Sequence, residues 1–194
     1  MKYDKEKKQI ILDKELGILD HLVIKFISIL EKYCDYVIIS GYVSILLGRS
    51  RATEDVDLFV RPISFHKFKL LYSELEENGF WCLNTDSEER AFNYLKSGSA
   101  IRFSETGQPL PNFEVKFPKD LLSEDTYNDF ITVVMPQAKL KISSLERHIA
   151  FKRYFLGSKK DMEDALHIEE MFKDKIDCTK INKLKELIKR NEKQ

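Results

Sequence analysis

Three residues with chemistry in their spacing stand close together in the chain: Gly41 in Ser40-Gly41-Tyr42, and the carboxylates of Asp55-Val56-Asp57. Val56, Leu58 and Val60 alternate with Asp55, Asp57 and Phe59, the period of a strand, so the two carboxylates share one face and the small apolar residues take the other. Carboxylates at i and i+2 repel and resist burial. A divalent cation is their natural neutraliser, and Mg²⁺ suits an oxygen-only ligand set completed by substrate phosphates. Taken alone, Asp-x-Asp is most often a solvated strand edge. The preceding strand, Tyr36 to Ile39, changes that reading, because it ends in a small-residue turn where Gly41 leaves room for backbone N–H groups to approach a phosphate.

A second cluster lies in the tail. Residues 139–160 carry Lys139, Lys141, Arg147, Lys152, Arg153, Lys159 and Lys160 against Glu146 alone, a local excess of positive charge in a chain whose 32 Lys+Arg balance 32 Asp+Glu. Lys152 falls on the inward stripe set by Leu145, Ile149 and Leu156, so it either needs a partner inside or reaches outward along its aliphatic stem. Ser158 and Asp161 have the spacing of a capping box, which gives Asp161 a structural alternative to a substrate role. Asp164 shares a stripe with Ala165, Ile168 and Phe172, placed either to orient Lys152 or Arg153 or to form a plain salt bridge. His21, His66, His148 and His167 have no metal-ligand spacing, which makes each a structural residue.

The elements that must position these groups follow from periodicity. Leu22, Val23, Phe26, Ile27 and Leu30 trace one face of a helix over about 14–34. A short helix follows Gly41, and strands are expected at about 56–60, 80–83, 100–104 and 112–117. Helices are expected over 64–78 and over 86–96, the latter with Asp86 as N-cap. Residues 130–134 and 139–142 read as extended, and three helices follow at about 143–156, 159–173 and 179–192. The expected fold class is α/β (α+β), a mixed sheet flanked by helices over residues 1–136, with a C-terminal helical segment over 137–194.

The stretch YVIISGYVSILLGRSRATEDVDLFV resembles the signature of the nucleotidyltransferase superfamily: hydrophobic residues, a Gly-Gly or Gly-Ser pair, a short helix, then Asp-hydrophobic-Asp/Glu. It is especially similar to the small prokaryotic members, including the abortive-infection-type toxin nucleotidyltransferases, in which Arg-x-Thr precedes the acidic pair, here Arg51-Ala52-Thr53. The likeness runs on into SLERHIAFKRYFLGSKKDMEDALHI, with its Lys-rich segment ending in Lys-Asp-x-x-Asp. It implies a nucleotidyltransferase-like core that moves a nucleoside monophosphate from a triphosphate such as ATP to a hydroxyl acceptor and releases pyrophosphate. Asp55 and Asp57 would hold Mg²⁺ in a two-metal site, and Glu114 on the polar face of its strand would be the third carboxylate. Ser40, Gly41, Arg51, Thr53 and Lys152 would bind substrate phosphates, with Asp161 and Asp164 in support. Two departures stand out: the small pair is Ser40-Gly41 followed by bulky Tyr42, and the third carboxylate is Glu where Asp is common.

A 43% hydrophobic, 33% charged chain with 7 Gly and 5 Pro excludes disordered and collagen-like classes, and its zero formal charge excludes a uniformly basic polyanion binder. Three scattered cysteines (Cys34, Cys82, Cys178) suggest neither a disulfide framework nor a CxxC metal site. With no secretory signal or membrane span in the sequence, a soluble, cytoplasmic protein is expected. The acceptor is open among a tRNA 3′ end or other RNA, a protein hydroxyl and a small molecule. The alternative class is a catalytically weak nucleotide-binding protein, or a toxin–antitoxin-type partner that keeps the fold without turnover.

Overall fold

Strand β4 (Asp55–Val60) buries Val56, Leu58 and Val60 on one side and leaves Asp55, Asp57 and Phe59 half-buried on the other. The computed structural model describes residues 1–191 and builds around this strand a nine-stranded mixed sheet. The remaining strands are β1 (Lys2–Asp4), β2 (Gln9–Ile11), β3 (Tyr36–Ile39), β5 (Phe80–Cys82), β6 (Ile101–Glu105), β7 (Asn112–Lys116), β8 (Phe130–Met135) and β9 (Ala138–Ser143). They run in the order β1-β2-β8-β9-β3-β4-β7-β6-β5. β4 is antiparallel to β3 and parallel to β7.

One face of the sheet is covered by α1 (Ile18–Leu30), α3 (Phe65–Glu77) and α4 (Glu88–Lys96). Phe26 of α1 stacks on Phe113 of β7, with ring centroids 3.9 Å apart and 3° between planes, and meets Phe80 edge-on at 5.2 Å. Such aromatic pairs add about 0.5–1.5 kcal/mol beyond the area they bury. Because strand side chains alternate, anchoring Phe113 in this core commits Glu114 to the opposite face.

α1 is shorter than its sequence periodicity suggests. It starts at Ile18 because the Asp20 carboxylate accepts the Gly17 N–H at 2.9 Å, and it ends where the chain turns at Lys32 and Tyr33. The cap of α4 is Ser87, whose Oγ accepts from the Arg90 N–H at 3.3 Å, and not Asp86. The β1–β2 hairpin, too short to show a period, extends the sheet through parallel pairing of β2 with β8.

The chain after β7 forms a short helix α5 (Leu121–Glu124), a 3₁₀ turn (Asp125–Tyr127), and the β8–β9 hairpin. β9 lies beyond residue 136 and pairs in parallel with β3, so the sheet takes in residues on both sides of that position. Then come α6 (Leu145–Phe151), a π-helical turn (Lys152–Leu156) closed by Gly157 at φ 68°, α7 (Lys159–Met171) and α8 (Cys178–Asn191). The helix expected to reach residue 192 is described to 191, the rest lying outside the described residues. Among the described residues no helix is long and apolar enough to cross a membrane.

Candidate active site

Parallel pairing sets Asp57 directly beside Glu114, and Asp55 beside Asn112. Asp55, Asp57 and Glu114 therefore share one face of two adjacent strands. Lys116, two residues along β7 from Glu114, joins them: its Nζ lies 2.7 Å from Glu114 Oε1 and 3.0 Å from Asp57 Oδ1. Arg102 Nη2 pairs with the other oxygen of Glu114. Among the described residues, no cation or donor reaches the Asp55 carboxylate; only its backbone oxygen is used, by Thr53 Oγ1 at 3.0 Å. Three carboxylates thus face two cations.

The protonation behaviour reflects that crowding. Burial raises the Asp57 pKa, and although Lys116 pulls it down, repulsion from Asp55 and Glu114 keeps it above the ordinary carboxylate value. Burial also acts upward on Glu114, but there the hydrogen bond and charge of Lys116, with Arg102, win and hold its pKa low. Burial would lower the Lys116 pKa, yet Asp57 and Glu114 together raise it. The site calls for positive charge, and its donors are all oxygens, which fits Mg²⁺. Among the described residues no group of three or more His, Cys, Asp or Glu is arranged to hold a metal ion as it stands, and the Lys116 ammonium lies between two of the three carboxylates.

Ser40 brings the end of β3 next to this face. It caps α2 (Gly41–Leu46) with φ 60° and ψ −139°, a backbone region that glycine tolerates and other residues occupy at a cost of about 1–3 kcal/mol. Tyr42 leaves the turn clear. Its ring is fully buried in the core, and its hydroxyl donates to Asp20 Oδ1 at 2.8 Å. Ser40, Asp57, Lys116 and Lys152 line a cavity of about 170 Å³ together with apolar Ile39, Phe59, Phe151, Phe155 and Leu156.

Gly41, Arg51 and Thr53 are not in that cavity. A Cβ on Gly41 would fall on Arg51 Nη2 and come within 3.3 Å of Thr53 Oγ1, so any larger residue there must displace the Arg51 guanidinium packed over the turn. Arg51 donates from Nε and Nη2 to Asp164 at 3.1 and 3.0 Å, and Arg49 pairs with the same carboxylate and with Glu163. Both arginines tie the loop to α7 and not to the Asp55/Asp57 pair. Asp164, with no exposed surface, also forms an ion pair with Lys152 Nζ at 3.0 Å, and Asp161 accepts a hydrogen bond from the same ammonium at 2.6 Å. Asp161 at the same time completes a capping box with Ser158. Lys152 is therefore buried and partnered, and its place in the cavity is held by two carboxylates. Behind it, His148 is wholly buried, its Nε2 2.9 Å from Ser44 Oγ, and burial followed by the Lys152 charge pushes its pKa down to about 3.

The positive excess of 139–160 does not survive folding as a free patch. Lys141 pairs with Asp35, Arg147 with Asp125 and Asp129, and Arg153 with Glu169. All these partners lie outside the segment. Among the described residues only Lys139, Lys159 and Lys160 of its cations pair with no carboxylate. Neither Lys116 nor Arg102 stands out in the sequence as a site residue. The signal for Lys116 was its two-residue spacing from Glu114 on a strand; for Arg102 there was none without the β6–β7 register, which sets it opposite Glu114.

No protein-family model and no curated protein matches the sequence. Among solved structures, the chain is similar to the crystal structure of an antigenic nucleotidyltransferase-like protein from Paracoccidioides brasiliensis. The TM-score is 0.54 at 19% identity, with 87% of each chain covered. At that identity the likeness concerns the fold alone. The nine-stranded mixed sheet with its helices is consistent with it, and the chain has a nucleotidyltransferase-like fold.

Proposed function

We propose that the protein is a Mg²⁺-dependent nucleotidyltransferase that moves a nucleoside monophosphate from a nucleoside triphosphate to a hydroxyl acceptor, releasing pyrophosphate, in the manner of small abortive-infection-type enzymes. The observation that carries this reading is the register of Asp57 beside Glu114, with Asp55 on the same face. Mg²⁺ bound by these three carboxylates would supply the charge that draws electrons toward the leaving pyrophosphate. Glu114 would either help hold the metal or accept the proton of the acceptor hydroxyl. Ser40 would offer a hydroxyl to phosphate oxygens in the cavity, Lys152 would reach them on release from Asp161 or Asp164, and Phe151 and Phe155 offer flat apolar surface to a base. Arg51 and Thr53 serve by holding the turn and loop, Asp161 and Asp164 by holding Lys152.

In this reading the helical part of residues 137–194, which follows β9, forms the acceptor platform, the setting is the cytoplasm, and RNA such as a tRNA 3′ end is the first acceptor class to try. Incubation with α-labelled triphosphates and cell extract should label one class of molecule, and Asp57→Asn should abolish the labelling. Equal labelling by the variant would remove the assignment. Affinity for RNA should fall steeply with added salt; a flat response excludes an RNA acceptor held by its phosphates.

A second reading, a catalytically weak nucleotide binder or toxin–antitoxin-type partner, is favoured by one observation: Lys116 and Arg102 already neutralise most of the acidic face. Thermal-shift titration separates the two. Stabilisation by triphosphate that requires Mg²⁺ and is lost in Asp55→Asn supports transfer, and indifference to both ligands supports the partner protein.

A further inference from the structure

The transfer chemistry explains neither of the two cations on the acidic face, and of the two Lys116 is the one that touches two carboxylates. Its ammonium bridges Asp57 and Glu114, the two carboxylates that the strand register sets side by side. A divalent cation held by both would need the space and the lone pairs that Lys116 now takes. Charge points the same way. With Lys116 and Arg102 in place, three carboxylates meet two positive charges, and Asp55 has no cation of its own. A divalent cation together with Arg102 would bring three positive charges to three carboxylates, but only if Lys116 leaves; were it to stay, the face would become positive, at the cost of packing two cations together. The side chain has somewhere to go, because Lys116 also lines the adjoining cavity.

We propose that Lys116 is a resident counter-ion that competes with the divalent cation for Asp57 and Glu114, so that metal entry and the Lys116 contact exclude one another. The inference rests on the reading of Asp55, Asp57 and Glu114 as metal ligands. Without metal, the ammonium keeps three crowded carboxylates from repelling one another. With metal, it is ejected toward the cavity where a triphosphate would meet it. Lys116 acts in this way as a positioning residue, setting how much free metal is needed to arm the site.

Calorimetric titration of Mg²⁺ and Mn²⁺ into the full-length protein and its Lys116→Met variant tests this. The variant should bind roughly tenfold more tightly or better, as expected when two mutually exclusive contacts lose one competitor. Equal or weaker binding by Lys116→Met, with binding still lost in Asp57→Asn, would overturn the competition while leaving the metal site intact. Binding by neither protein would overturn both. Should Lys116→Met fail to fold, the parent protein still decides: the ¹⁵Nζ resonance of Lys116 should move away from its carboxylate-bonded position as Mg²⁺ saturates, and an unmoved resonance at saturation would sink the proposal.

Discussion

Two ion networks built from similar side chains flank the same cavity, and they differ in whether they are closed. Around Asp164, the cations Arg49, Arg51 and Lys152 meet the carboxylates Asp161, Glu163 and Asp164, and each group has a partner. Around Asp57, the carboxylates outnumber the cations and Asp55 is left without one. A network that satisfies itself has structural work to do, here the fastening of α7 to the loop before β4. A network with surplus charge and a free carboxylate is waiting for something else. The two were hard to tell apart as sequence, since both are Lys, Arg, Asp and Glu at short spacing.

Four substitutions or titrations would break or sharpen that contrast. The largest expected effect is in the closed network: Asp164→Ala leaves the largely buried Arg51 with no carboxylate and takes one of two from Arg49 and from Lys152, and should cost about 3–5 kcal/mol in urea unfolding. A loss under 1 kcal/mol would show the network to be a surface feature. Next is Gly41→Ala, whose Cβ must push aside an Arg51 guanidinium that Asp164 holds in place. About 1–3 kcal/mol is expected. In the Asp164→Ala background that cost should shrink, because the released guanidinium can swing away, and a double-mutant cycle reads the difference.

The third test is acidification. His148 has a folded pKa lowered to about 3, so between its unfolded value near 6.5 and about 3 the unfolded chain binds the extra proton and stability falls as pH drops. The slope for one such group approaches about 1.4 kcal/mol per pH unit. Denaturant midpoints at pH 7, 6 and 5 should show it, and His148→Gln should flatten the profile in that range. The smallest effect on stability is expected at Asp55→Asn. Removing a surplus negative charge from a half-exposed strand face should change unfolding by no more than about 0.5 kcal/mol. Stability held with transfer lost would mark Asp55 as functional, whereas loss of both would place it in the architecture.

How far the sequence could be read depended on the distance between partners. The alternation of Val56, Leu58 and Val60 placed Asp55 and Asp57 on one face, because it is a property of a single strand, and Glu114 was read in the same way on the polar face of its own strand. The tail helices likewise announced themselves by period and by the Ser158–Asp161 cap. Pairing between elements was not legible. Nothing in the sequence set Lys116 between Asp57 and Glu114, or turned Arg49 and Arg51 toward Asp164, more than 100 residues on. The basic segment misled for the same reason: Asp35, Asp125, Asp129 and Glu169, which neutralise much of it, lie outside any window that contains it. Tyr42 was judged by its bulk, when what mattered was the direction in which its ring points.

The parallel pairing of β3 with β9 carries a consequence for the making of the protein. Ile38 finds its partner Ile142 only after on the order of 100 further residues have been synthesised. At about 5–20 residues per second, the apolar strand Tyr36-Val37-Ile38-Ile39 leaves the ribosome some 5–20 seconds before its neighbour does. During that interval one row of its peptide groups is an open template for any other extended chain. Chaperone demand in the cell and yield on expression should both be governed by this short stretch, well before any question of catalysis arises.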